Sequence, residues 1–152
     1  RQRQMCIRDS TCPLCDRSRW HVLWENKAIF VIDAAEKDWP GFIRVVAKSH
    51  TKEMSDFSLE ERHHLYDVVN EVEKAVRDIM APDKVNLAQL GNMVPHVHWH
   101  VIARFKDDAA FPDAVWAPKR RETAPAVFAE RAARHRRLLE ELPLRLKAAF
   151  PQ

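Results

Sequence analysis

The run His96-Val97-His98-Trp99-His100-Val101-Ile102 places three histidines at every second position among β-branched and aromatic residues. Successive side chains of a strand project to opposite faces. This spacing therefore predicts three imidazoles on one face, roughly 6–7 Å apart, and Val97, Trp99 and Val101 on the other. A helix would scatter them. Imidazole is a nucleophile, a proton donor or a metal ligand near neutral pH, so the row can hold a metal or act on an anionic group. A single histidine on a half-buried strand is ordinarily hydrogen-bonded structure, but three in alternation require three sets of partners on one face.

The sequence has only two glycines, Gly41 and Gly91, which excludes a G-x-G-x-x-G loop and a P-loop. Any phosphate must be held by side chains and a few amides. Upstream of the histidines, Asn86 to Leu90 alternates as a strand and ends in Gly91-Asn92, a turn signal, followed by Pro95. Two successive strands with a short link pair antiparallel. Asn92, Gln89 and the turn amides are then expected beside the histidine row as donors to phosphate, although ordinary turn chemistry also accounts for Asn92.

His96-Val97-His98-Trp99-His100-Val101-Ile102 resembles the His-x-His-x-His-x-x signature, with x apolar, of the histidine triad (HIT) superfamily of nucleotide hydrolases and transferases. Two upstream segments are similar to the same family. Phe30-Val31-Ile32-Asp33 resembles its apolar strand ending in an acid. Trp39-Pro40-Gly41-Phe42 through Lys48-Ser49-His50 resembles its Pro-Gly turn and the next strand closing on Lys-x-His. The resemblance spans about Cys12 to Arg104, and Phe111 to Pro118 is similar to a segment of a bacterial subgroup.

The resemblance implies a nucleotide hydrolase. In it His98 attacks the α-phosphorus of a nucleoside phosphate derivative and forms a covalent nucleotidyl-histidine that water cleaves. The substrate is a dinucleoside polyphosphate or a nucleoside phosphoramidate with a purine base. The chemistry needs a neutral imidazole with one free nitrogen, and a backbone carbonyl would fix the other as donor. His96, His100, Asn92 and Gln89 are expected at the phosphate, where alignment and charge stabilisation are the main demands. Asp33 is expected at the ribose, although the stretch Ala34 to Pro40 is one residue longer than the family pattern. Nucleotidylyl transferases of the family resemble His-x-His-x-Gln, so His100 points to water as acceptor. A non-catalytic nucleotide sensor or scaffold, or a nucleotidylyl transferase, is the alternative, and a metalloenzyme binding catalytic zinc through all three histidines ranks last, since alternate residues of one strand do not easily converge all three on one ion, although two can. No cofactor is required for the chemistry, and the usual assembly of the family implies a homodimer.

Cys12-Pro13-Leu14-Cys15 is a Cys-x-x-Cys with metal-ligand spacing. His50 and His96 are the pair that completes a zinc site in relatives, and two thiolates with two imidazoles make a closed tetrahedral structural centre. A plain reduced cysteine pair is the competing account.

The elements that position these residues read as α+β. His21 to Glu25 and Ala28 to Asp33 are strands around an Asn26-Lys27 turn, and Phe42 to Ala47 is a third. Ser58-Leu59-Glu60-Glu61 opens a helix to about Met80, with Leu65, Val68, Val69, Val72, Val76 and Ile79 on one face and Pro82 stopping it. Lys84 to Leu90 and Val97 to Arg104 complete an antiparallel sheet of about five strands, a HIT-like fold with one long helix packed on it and a C-terminal helical tail.

The 152 residues, 46% hydrophobic, suffice for one domain with a proper core. Three segments are expected: an extraneous or disordered leader over 1–11, a HIT domain over 12–118 and a basic helical tail over 119–152. No apolar signal or spanning segment is evident, so the expected location is cytoplasmic with no membrane association. The tail carries nine Lys or Arg against four acids, net +5, while the preceding residues carry sixteen against eighteen, net −2. Val127 to Leu142 reads as an Arg-rich helix ended by Pro143. Its charge is expected to be a solvated face rather than a nucleic-acid surface.

Overall fold

Helix α1, Leu59–Met80, starts at a complete capping box: Ser58 Oγ accepts from Glu61 N at 3.1 Å, and Ser58 N donates to Glu61 Oε1 at 2.9 Å. It stops at Ala81, whose left-handed backbone (φ 48°) accompanies Pro82. The six apolar residues expected on one face are all buried, joined by Ala75 and Met80. Each fully buried Val, Leu or Ile contributes about 1.5–3 kcal/mol, so this stripe fixes the helix on the sheet.

The computed structural model describes residues 11–152; the expected leader over 1–11, except Thr11, lies outside them. Five strands, β1 (Val22–Glu25), β2 (Ile29–Asp33), β3 (Phe42–Ala47), β4 (Lys84–Ala88) and β5 (His98–Arg104), form one antiparallel sheet in the order β1-β2-β3-β5-β4. The β1–β2 turn is set by Asn26, whose Oδ1 accepts from both Ala28 N and Ile29 N at 2.9 Å. Alternation divides the sheet's two faces. Val31, Ile43, Val45, Val101 and Ala103 pack with α1 in the main core, while Phe30, Ile32, Phe42, Val46 and Ile102 belong to clusters on the opposite face. His98 and His100 share the parity of Ile102 and lie on that second face.

The C-terminal helix departs from expectation. Helix α2 runs Pro125–Ala149 and passes through Pro143, which does not end it. A proline inside a helix lacks its N–H and crowds the carbonyl four residues back, costing about 3 kcal/mol. Burial outweighs this cost here, because Leu142 and Leu146 on either side of Pro143 sink with Leu138 into the main core beside α1. Seven of the nine cations of the tail 119–152 are engaged within this chain. Lys119, Arg120, Arg131, Arg137 and Arg145 pair with Asp38, Asp113, Asp107, Glu141 and Asp78. Arg121 and Arg134 donate to carbonyls, the latter to Met80 O at the end of α1. No helix among the described residues is long and apolar enough to cross a membrane.

Candidate functional site

β5 pairs with β3 from Val46↔His98 to Phe42↔Ile102, and this register holds His98 and His100 side by side with ring centroids 4.9 Å apart. His98 Nδ1 lies 2.5 Å from the carbonyl of His96. A carbonyl only accepts, so Nδ1 carries the proton and Nε2 keeps its lone pair. Burial holds His98 below the usual imidazole range, with the neighbouring Arg44 charge acting the same way against the hydrogen bond to the carbonyl. The ring is therefore neutral at physiological pH, the state in which an imidazole attacks phosphorus.

His100 is still more strongly held in that state. Burial, then the charges of His98 and Arg44, bring its pKa to about 3. Its ring stands edge-on to Phe42 at 5.5 Å and to Trp116 at 5.1 Å, and its Nδ1 has no protein partner among the described residues.

The third histidine does not join the row. The ladder begins only at His98, because the backbone at Val97 turns aside to donate its N–H to Thr51 O. His96 is fully buried, with Nε2 2.6 Å from Ala47 O. Its Nδ1 sits 3.4 Å from Cys12 Sγ, 3.6 Å from Cys15 Sγ and 3.2 Å from His50 Nδ1. Both ring nitrogens thus face protein atoms, whereas His96 was expected at the phosphate as well as at the metal.

The four residues expected as zinc ligands do converge. Their donor atoms all lie within 4.8 Å of one another, with Cys15 Sγ to His50 Nδ1 at 3.2 Å. Zn–S bonds of about 2.3 Å and Zn–N bonds of about 2.0–2.1 Å at tetrahedral angles demand N···N and S···N edges of about 3.3–3.6 Å. The edges above match that requirement. Ala47 O, by accepting a hydrogen bond from Nε2–H, leaves the Nδ1 lone pair of His96 to ligate, the arrangement typical of metal-bound histidine. Cys12, Cys15, His50 and His96 could hold a metal of the zinc type.

Asp33 is also placed away from the row. It lies on the α2 side of the sheet, where Oδ1 is 3.2 Å from His135 Nε2 and accepts from Ala35 N at 2.9 Å. Gly41 N donates to His135 Nδ1 at 2.9 Å, so the proton resides on Nε2 and is donated to Asp33. These bonds lower the Asp33 pKa although burial, the largest single influence, opposes them. Asp33 shapes the start of the 34–40 loop through its bond from Ala35 N. Gly41 has φ +85°, and a Cβ there would stand 2.7 Å from Ala103 Cβ, which explains glycine at this crossing. Asn92 is exposed on the link between β4 and β5, and Gln89 is half-buried, its Oε1 without a partner among the described residues.

Four residues were not singled out from the sequence. Arg44 interrupts the apolar β3 at the parity of Phe42 and Val46 and faces His100 across the ladder. Trp116 reaches His100 from the loop after β5. That loop is pinned by Arg104 and Asp108, both buried: Arg104 Nε and Nη2 donate to the two Asp108 oxygens at 2.9 and 3.1 Å, and Asp108 also accepts from the backbone of Phe105, Ala110 and Phe111. A lone cation within an apolar strand was the available signal for both arginines.

Residues 17–107 match the family model of the HIT domain. The chain belongs to the HIT family. Among solved structures this HIT chain is similar to a histidine triad protein from Marinobacter aquaeolei, with 29% identity over 82% of this chain and 92% of that one and a TM-score of 0.63. A histidine triad protein from Bradyrhizobium japonicum is 26% identical over 81% and 92%, with a TM-score of 0.64. A hypothetical histidine triad nucleotide-binding protein from Sulfolobus tokodaii shares the fold at 19% identity over 90% and 94%, with a TM-score of 0.59. No curated protein matches the chain.

Proposed function

We propose that this HIT protein is a nucleotide hydrolase that cleaves a dinucleoside polyphosphate or a nucleoside phosphoramidate at the α-phosphorus. The observation that carries the reading is the buried, neutral His98 whose Nδ1 is tied to the His96 carbonyl, leaving Nε2 as the nucleophile. Nε2 attacks phosphorus, the Nε2–P bond forms and the P–O or P–N bond to the leaving group breaks, the leaving group taking its proton from water. Water then attacks the nucleotidyl-histidine, the Nε2–P bond breaks, and nucleoside monophosphate departs with the neutral imidazole restored. His100, neutral at the same pH, donates a hydrogen bond to the developing charge without competing for the phosphoryl group as a second cation, and Asn92 and Gln89 add donors from the β4 side.

In the same reading Cys12, Cys15, His50 and His96 bind a structural zinc ion. The metal supplies no step of the reaction; bound, it cross-links the Pro13–Cys15 turn to the ends of β3 and β5 and so steadies the His96 carbonyl that orients His98. Purified protein from zinc-supplemented cells should hold one zinc per chain by elemental analysis, and less in Cys15→Ser; metal-free protein from such cells would refute this part.

Turnover tests the reaction. Wild type and His98→Ala are incubated with dinucleoside tetraphosphates and, separately, nucleoside phosphoramidates, each with adenine and with guanine. Monophosphate release by wild type and its loss in the variant are expected. No turnover on any of the four, with nucleotide binding retained, would overturn the hydrolase and leave a nucleotide sensor.

A further inference from the structure

Arg44 is poorly satisfied by its own protein. Its side chain is 17% exposed, yet Nε is buried without a partner among the described residues, and its ion-pair partner Glu36 stands 3.5 Å away, at the limit of a hydrogen bond. The guanidinium lies over Trp20 and Phe42, 5.6 and 5.8 Å from the ring centroids. An apolar side chain would continue β3 without leaving a polar atom unpaired. A guanidinium kept here, edge partly free and faces on aromatic rings, is arranged for a planar partner arriving from the cleft.

The sheet separates two halves of that cleft. Asn92 and Gln89 lie beyond β5 on the β4 side, whereas Arg44, Phe42, Trp20 and Ile32 lie on the β3 and β2 side. With the phosphate over His98, the aromatic half takes the base. Arg44 and Glu36 present to it N–H donors followed by carboxylate acceptors. Guanine presents the complementary order, acceptors N7 and O6 followed by the N1–H and N2–H donors. Adenine turns its N6 amino group toward the guanidinium and its N1 lone pair toward the carboxylate. The Glu36 loop is built in advance of the ligand, since Asp33 Oδ1 holds Ala35 N, Ala35 takes a left-handed backbone (φ 54°) and Trp39 N bonds Glu36 O at 3.1 Å.

We propose that Arg44 and Glu36 form the base-recognition pair of the nucleotide site and make it prefer guanine over adenine. The proposal rests on the reading of this cleft as a nucleotide site, and is tested separately from catalysis by using monophosphates, which are products and do not turn over.

Calorimetry of GMP, IMP and AMP with the wild-type chain is the test. GMP should bind about 10–100-fold tighter than AMP, the range of a bidentate base contact, with IMP between them because it lacks N2. Arg44→Leu should weaken GMP to the level of AMP while changing AMP by less than about threefold. Arg44→Lys keeps the charge without the fork and should lose the preference too; Glu36→Ala should weaken both GMP and IMP and leave the two binding alike. Equal binding of GMP and AMP overturns the proposal, as does a loss in Arg44→Leu that is the same for both, which would make Arg44 a phosphate ligand. A preserved GMP preference without turnover of any substrate removes the hydrolase and leaves the base-recognition pair standing; equal GMP and AMP binding with brisk turnover does the reverse. Failure of all three monophosphates to bind overturns this proposal as well.

Discussion

Acid should destabilise this protein through His100 in particular. In the unfolded chain its imidazole titrates near the ordinary value of about 6.5. Folded, burial and the charges of His98 and Arg44 bring it to about 3. Between those values the unfolded state binds more protons than the native state, so the stability contributed by this group is complete above about pH 6.5 and is lost progressively as pH falls toward 3. From about pH 7 to about pH 5 the loss amounts to about 2 kcal/mol. His98 and His96 shift in the same direction, so wild type alone does not isolate the effect. His100→Gln, neutral at every pH, does. Urea unfolding of both proteins at the two pH values, in zinc-containing buffer, gives the double difference. The variant should lose about 2 kcal/mol less than wild type on acidification. Parallel losses would mean that His100 accepts a proton in the folded state as readily as in water, and the account of a dry, neutral row would fail.

Three further outcomes follow from single contacts. Asp108→Ala strands the buried Arg104 guanidinium and three backbone N–H groups, and should cost about 3–5 kcal/mol in urea unfolding; a loss below about 1 kcal/mol would show that the loop is held otherwise. His135→Ala removes the acceptor of Gly41 N–H and a donor to Asp33, costing about 1–3 kcal/mol, while His63→Ala on exposed α1 surface should cost less than about 0.5 kcal/mol. Pro143→Ala restores a helical N–H within α2 and should stabilise by about 2 kcal/mol, or roughly 4–8 °C in Tm; a lowered Tm would show that the proline is needed where it stands.

The strands and α1 were legible because each is governed by short-range rules: alternation, an Asx-type turn at Asn26, a capping box at Ser58 and a proline after Met80. That His98 and His100 share a face followed from the same parity. What failed to be legible depended on distance. The place of His96 with Cys12 and Cys15 came from the family resemblance and not from its alternation, since these residues and Ala47 stand 84, 81 and 49 positions away. Pro143 obeys a local stop rule that burial of Leu146 overrides. Asp33 ends its strand as an acid should, but His135, from a helix that the HIT match at 17–107 does not reach, claims it. Arg44 was visible as a cation in an apolar strand; its meaning required the register that sets it opposite His100.

The position of His135 gives α2 a consequence beyond packing. The helix is anchored by Leu138, Leu142 and Leu146 in the main core, so His135 is rigidly placed against the 33–41 segment. From there a chain of single hydrogen bonds runs outward: His135 to Asp33, Asp33 to Ala35 N, and through the left-handed turn at Ala35 to Glu36 beside Arg44. The other nitrogen of the same imidazole takes the Gly41 amide, fixing the segment at its far end. Both ends of the loop that carries Glu36 are therefore clamped by one side chain. The basic charge of this helix is largely satisfied within the fold, and its influence on the cleft is exerted through this one histidine, which sets the shape of the loop and leaves the charge of the row to His98, His100 and Arg44.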